Sequence, residues 1–243
     1  MLHACFVRSP FARATINGIH TAEALALPGV HAVFTAEDIN PRVREAWHAV
    51  AGKDIPDTPR PPLAEGEVKF VGDPVALVIA DSRYVAEDAV DLVDVYYDPL
   101  PALADFRTYR DSEVVVHEAY PDNVAGGMGG MPPDEELFAA AAHVVEEHIY
   151  QQMYVPVPME TRGMVAEWTS ATAGLTVWAS TQTPHELRAF AARLLGIPAQ
   201  GVRVIMRDTG GAFGQKVVPM REDMCILLAS RKVPSALKWT EDR

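Results

Sequence analysis

The chain has 243 residues, with 21 basic and 33 acidic side chains and a formal net charge of -12. That length holds one large domain or two ordinary ones, with a core that needs no disulfide or metal staple. No basic stripe interrupts the acidity, which argues against nucleic acid as a partner, and two cysteines, Cys5 and Cys225, fall short of the four thiolates an iron–sulfur cluster usually takes. Both read as reduced, partly buried thiols. The first residues show no long apolar run behind a basic start, so they do not read as a signal peptide, and no stretch reaches the ~18 apolar residues of a membrane helix. The expected location is the cytoplasm.

The first half alternates short strand and helix signals. His3 to Val7 predicts a strand, Ala22 to Leu27 a helix closed by Pro28 and Gly29, and Val30 to Thr35 a second strand. Residues 40–66, with Pro56, Pro59, Pro61 and Pro62, predict a surface loop. The continuous apolar run Pro74 to Ala80 suits a buried strand. Ser82 suits an N-cap, and Val85, Ala89, Leu92 and Val93 fall on one helical face. Val95 to Tyr97 returns to strand chemistry. His3, His20, His31 and His48 show no metal-ligand spacing and read as structural.

Residues 108–133 read as a connector whose Gly126–Pro133 stretch is a linker or lid. Asp134 opens a predicted helix to about Ala142, and Val144 to Tyr154 alternates as a strand does. Gly163 to Trp168 and Leu175 to Ser180 predict a hairpin. Thr183, Pro184 and Glu186 have the spacing of a capping box at the start of a helix that buries Leu187, Phe190, Ala191, Leu194 and Leu195 and ends at Gly196. Gln182 then sits between a strand end and a helix N-terminus, where a carboxamide can donate to an oxo or phosphate oxygen. Val202 to Met206 predicts another strand, which runs into Asp208 to Lys216. There Gly210, Gly211 and Gly214 let the backbone approach a ligand while Phe213 forms a wall. This is neither a Walker A loop nor a GxGxxG fingerprint. The two strand ends are expected to converge on an anionic, oxygen-rich ligand; the alternative is a packing turn whose glutamine is satisfied by nearby backbone. A helix is predicted from Met220 to Arg231.

The phrases LHACFVRSP, VKFVGDPVALVIAD, VYYDPLPAL, PMETRGMVAEW, STQTPHELR, LGIP, VRVIMRDTGGAFGQK and LKWTEDR occur in that order along the whole chain. Their order resembles the large subunit of the xanthine dehydrogenase, aldehyde oxidoreductase and aerobic carbon monoxide dehydrogenase family. The resemblance covers about the first third of that subunit. It implies an α+β fold: an α/β hammerhead domain over residues 1–107, a linker over 108–133 and the first part of a molybdopterin-binding domain over 134–243. It further implies a molybdopterin-type molybdenum cofactor, with Gln182 approaching the metal's oxo ligand and Gly210, Gly211, Ala212, Phe213 and Gly214 lining cofactor and substrate. No residue here is expected to ligate the metal through its side chain. Iron–sulfur clusters and FAD are expected on partner subunits, and the rest of the molybdenum domain on a further chain.

Some positions depart from the family's pattern. Ala212 stands where glycine is common, adding a methyl that would narrow the pocket or strain a positive φ. Val217 replaces the glutamate with which purine-oxidising relatives hold the heterocycle, which argues against a xanthine-type substrate. The family's general-base glutamate lies in a motif absent here; Glu186 is expected to cap a helix, and Glu160 to pair with Arg162 or neighbouring backbone. Three readings follow: part of a hydroxylase that oxidises a small aldehyde, heteroaromatic or similar carbon with oxygen from water; a catalytically incomplete structural or binding module; or a stand-alone binder of a phosphorylated small molecule. The first predicts a large apolar surface on the isolated chain.

Overall fold

The computed structural model describes residues 1–43, 61–118, 120–124, 135–152 and 154–242. Residues 44–60 of the expected 40–66 loop, His48 among them, the Gly126–Pro133 linker and the Asp134 helix start lie outside them. In chain order the elements are β1 (Leu2–Arg8), β2 (Ala14–His20), α1 (Ala22–Ala26), β3 (Val30–Phe34), α2 (Ala36–Ile39), β4 (Glu67–Val68), β5 (Pro74–Ala80), α3 (Arg83–Val90) and β6 (Asp94–Pro99). Then come α4 (Glu135–Ala139), β7 (Gly163–Thr169), β8 (Gly174–Ala179), α5 (Pro184–Leu195), β9 (Val202–Ile205), α6 (Arg221–Ala229) and β10 (Leu237–Thr240). The mixed α+β architecture is the one expected.

Seven strands form one sheet in the order β3-β5-β1-β10-β7-β8-β9, and β4-β2-β6 form a second. The parallel pairing of β1 with β10 joins the two halves of the sequence into that single sheet. β5 explains its own composition. Every residue of Pro74–Ala80 is buried, and strand alternation sends Leu77 and Ile79 into the main core with α5 and α6, while Ala76, Val78 and Ala80 face α1 and α3. A strand covered on both faces reads as a continuous apolar run, not an alternating one. Each such aliphatic side chain contributes ~1.5–3 kcal/mol on burial.

α3 begins as its sequence indicates, with the Ser82 hydroxyl accepting from Val85 N at 3.2 Å, but its fully buried positions are Ala86 and Ala89. Val85 and Leu92 pack only partly against that core, because the helix ends at Val90 and turns Leu92 off its face. α5 buries the five predicted residues and stops at Gly196, whose φ of 65° suits a residue without Cβ.

Two expected elements differ. α4 covers only Glu135–Ala139, and residues 144–152 and 154 form no strand. A strand needs a partner for its backbone, and among the described residues this segment has none. Val145, Ile149, Tyr150 and Tyr154 stand exposed there, as do Val155 and Met159 beyond it. Among the described residues, no helix is long and apolar enough to cross a membrane.

Candidate functional site

β8 and β9 are parallel neighbours, with Trp178 level with Ile205, so both chains leave the sheet on the same side. α5 is the crossover that parallel pairing requires. Gln182 follows the end of β8, and the 208–216 loop follows β9. In open α/β sheets, ligands bind outside such carboxyl ends of strands.

The two segments meet through reciprocal hydrogen bonds. Gln182 N donates to the Lys216 carbonyl at 3.0 Å, and Lys216 N donates to Gln182 Oε1 at 3.2 Å. Thr181 Oγ1 donates to the same Lys216 carbonyl at 3.2 Å. Because a backbone N–H needs an oxygen acceptor, the Gln182 carboxamide is fixed with its NH2 outward, and that NH2 finds no acceptor among the described residues. The side chain is therefore held by backbone, as the packing-turn alternative has it, yet a donor remains free.

The predicted capping box does not form. Thr183 Oγ1 donates to the Val217 carbonyl at 2.6 Å instead of accepting from its own helix, and Glu186 has no capping role. A distant carbonyl has outcompeted the local N–H, tying α5 to the loop.

The glycine loop is shaped by close approach and handedness. A Cβ on Gly210 would come within 2.8 Å of Glu160 Cβ, and one on Gly211, whose φ is 96°, within 3.2 Å of Pro158 and of the Phe213 ring. Gly214 has φ 91° with open space around it, so its requirement is conformational. The strain expected at Ala212 falls elsewhere: Ala212 is not in the left-handed region, whereas Phe213 is, at φ 52°. Phe213 is 78% exposed, so it stands on the loop surface and not in the core. Turns that alternate in handedness gather successive N–H groups into an anion-binding concavity. Here the N–H groups of Gly211, Ala212, Phe213 and Gly214 have no acceptor among the described residues, while Gln215 N and Val217 N close turns onto Ala212 and Gly214 at 3.0 and 3.3 Å.

Glu160 takes the backbone option: its carboxylate accepts from Gly210 N, its own N donates to the Gly210 carbonyl at 3.1 Å, and Arg162 pairs elsewhere. The Gly210 N–H holds the Glu160 carboxyl below the usual range. Lys216 and its acceptor Ser180 gain roles that the sequence did not signal. Lys216 is 4% exposed, and its ammonium donates to the Glu160 carbonyl and to Ser180 Oγ, both at 2.7 Å. Burial pushes the Lys216 amine down, against the attraction of Glu160 and Glu241. Only the position of Lys216 directly after the glycine loop could have drawn notice. Surface cavities lined by Leu137, Phe138 and Val145, and by His3, Arg83 and Lys238, share no residue with this loop. No cluster of metal-ligating side chains occurs among the described residues.

A family model described as "Molybdopterin cofactor-binding domain" matches residues 116–243, and "Aldehyde oxidase and xanthine dehydrogenase, a/b hammerhead domain" matches residues 1–101. The nicotine 6-hydroxylase large subunit of Paenarthrobacter nicotinovorans is 40% identical over 245 residues, covering 100% of this chain and 30% of the relative. The carbon monoxide dehydrogenase large chain of Hydrogenophaga pseudoflava is 36% identical over 258 residues, covering 100% of this chain and 32% of the relative. The crystal structure of quinoline 2-oxidoreductase from Pseudomonas putida 86 superposes with a TM-score of 0.88 at 34% identity, over 100% of this chain and 31% of that one. The chain thus spans about a third of the length of the relatives it matches.

The site's donor set suits a group rich in anionic oxygen. It offers the free Gln182 NH2, the N–H groups of 211–214, and Thr209 Oγ1, which is buried with no hydrogen-bond partner among the described residues. An unpaired buried hydroxyl costs ~1–3 kcal/mol, a cost that a bound oxygen would relieve.

Proposed function

Because the chain belongs to the molybdopterin-binding large subunits of the xanthine dehydrogenase, aldehyde oxidoreductase and carbon monoxide dehydrogenase family, we propose that it is the front part of the molybdenum-cofactor subunit of a molybdenum hydroxylase. In this reading residues 1–107 are the hammerhead portion, 108–133 the connector and 134–243 the start of the cofactor domain. The observation that carries the reading is the clamp of Gln182 to Lys216, which leaves a carboxamide NH2 beside a loop of free backbone N–H groups.

When bound, the molybdopterin-type cofactor supplies the two-electron oxidation that replaces a substrate C–H with C–OH, the oxygen coming from water. The chain's own residues bind and orient. Gln182 donates to the oxygen that faces it, and the N–H groups of Gly211, Ala212, Phe213 and Gly214 hold anionic oxygen of cofactor or substrate. Gly210 lets Glu160 close the base of the loop. The Phe213 ring forms an apolar wall for a small aldehyde, heteroaromatic or similar carbon substrate. Val217 offers no carboxylate to a purine, which disfavours xanthine. Glu160 is already committed to Gly210 N, so it is not assigned the role of general base.

The working enzyme in this reading is cytoplasmic. It combines this chain with the rest of the molybdenum domain, an iron–sulfur subunit and an FAD subunit, which carry the electrons away. The exposed apolar side chains between Val144 and Met159 support such a covering partner. The test is to purify the chain gently from its native cell and weigh the intact assembly. Further polypeptides and iron in the same fraction are expected; a bare single chain contradicts the reading.

A further inference from the structure

Lys216 has a feature that packing does not account for. Its ammonium is buried, yet no carboxylate lies in ion-pair contact with it among the described residues; both of its contacts are to neutral oxygens. Glu160 and Glu241 attract it only from beyond ion-pair distance. A buried cation without a counter-ion costs several kcal/mol as a rule, and a neutral polar side chain could bridge the same two oxygens without that cost. The charge therefore has a use that the described residues do not satisfy.

The position of the charge says what that use is. The same residue holds Gln182 through both of its backbone groups and tethers the end of β8, at Ser180, and the 160 segment beneath the glycine loop. We propose that Lys216 is the positioning residue of the site: it sets the Gln182 carboxamide and the 211–214 N–H groups toward one oxyanion, and its unmatched positive charge is completed by that anion. The inference rests on the reading that this loop faces an anionic, oxygen-rich group, but it does not depend on which group that is.

Inorganic phosphate added to the full chain, in whatever assembly it purifies with, probes the inference. Hydrogen exchange over peptides spanning 178–187 and 207–217 is the readout. Phosphate is expected to slow exchange in the 207–217 peptide. Lys216→Gln keeps a polar side chain but removes the charge; it is expected to weaken phosphate binding about tenfold, whereas Lys216→Arg stays within about threefold, since charge-assisted bonds are roughly twice as strong as neutral ones. Equal binding by Lys216→Gln and wild type overturns the proposal. So does an equal loss in both variants, which marks a packing role, or a wild type that phosphate leaves unchanged. Should Lys216→Gln not fold, Ser180→Ala decides: with one tether gone, exchange in the 178–187 peptide is expected to quicken without phosphate, and unchanged exchange overturns the proposal. Metal content of the native assembly tests the hydroxylase reading separately, so phosphate binding without molybdenum would retain Lys216's role and reject that reading.

Discussion

Gln182→Ala is expected to leave the assembly intact and to lower its turnover roughly ten- to a hundredfold, the equivalent of the ~1.5–3 kcal/mol that a hydrogen bond to a charged partner contributes. The side chain is exposed and packs into no core, so the fold loses only the acceptor of Lys216 N, which water can replace. What disappears is the outward NH2, a side-chain donor beside the free N–H groups of the loop. Steady-state turnover of the assembled enzyme, with melting temperature as a control for folding, checks this. Turnover equal to wild type removes Gln182 from the chemistry.

Arg162→Met is expected to destabilise the fold by about 3–5 kcal/mol, the usual result of taking one partner from a buried ion pair. Arg162 lies between β7, α6 and β10. Its guanidinium donates to Glu241 Oε1 at 2.9 Å and to Glu222 Oε2 at 3.2 Å, and sits 5.2 Å from the Trp239 ring. Glu222 is only 7% exposed, and its other oxygen meets Arg8 at 2.9 Å, so the cluster also fastens β1 to α6. Methionine fills the volume but strands these carboxylates.

The loss should depend on pH in a definite direction. Burial pushes Glu222 up, but Arg162 and Arg8 outweigh it and hold the group below its ordinary 4.5. A depressed carboxylate contributes stability above its unfolded value and loses it as pH falls. Beside it, burial raises Asp223 to about 6, so its contribution runs the opposite way: present below 3.8 and lost as pH rises through 6. Arg162 favours the charged forms of both Glu222 and Asp223, so the gap between variant and wild type is widest near neutral pH and narrows as the carboxylates protonate. Denaturant unfolding at several pH values measures it; a gap under about 1 kcal/mol at pH 7 would mean that the cluster carries no net stability.

Where local pattern decides structure, the sequence was sufficient. β5 shows as an apolar run, the β7–β8 hairpin as two strands around a turn-rich stretch, and α5 as a 3.6-residue stripe ended by Gly196. Where structure depends on distant residues, it was not. β2 contains Asn17-Gly18 and is a strand only because β4 and β6 flank it, and β10 exists through β1 and β7. The alternating stretch from Val144 failed for the converse reason, since pattern without a partner makes no sheet. At the site, Gln182 and the glycine loop were visible as two strand ends, and the parallel pairing of β8 with β9 brings those ends together. The clamp that fixes Gln182 was not visible, because Lys216 lies 34 residues away in sequence. The same distance hid the diversion of Thr183 to Val217. The misplaced strain has a local cause that spacing does not reveal: the left-handed turn is taken by Phe213 and not by its neighbour Ala212.

Molybdenum measured per chain in the gently purified native assembly decides whether this chain serves a molybdenum hydroxylase. About one molybdenum for each copy of this chain is expected, since a cofactor of this kind carries the reaction's redox chemistry while the protein binds and orients. An assembly that holds its partners but no molybdenum would contradict it, and would leave the oxyanion loop serving some other ligand.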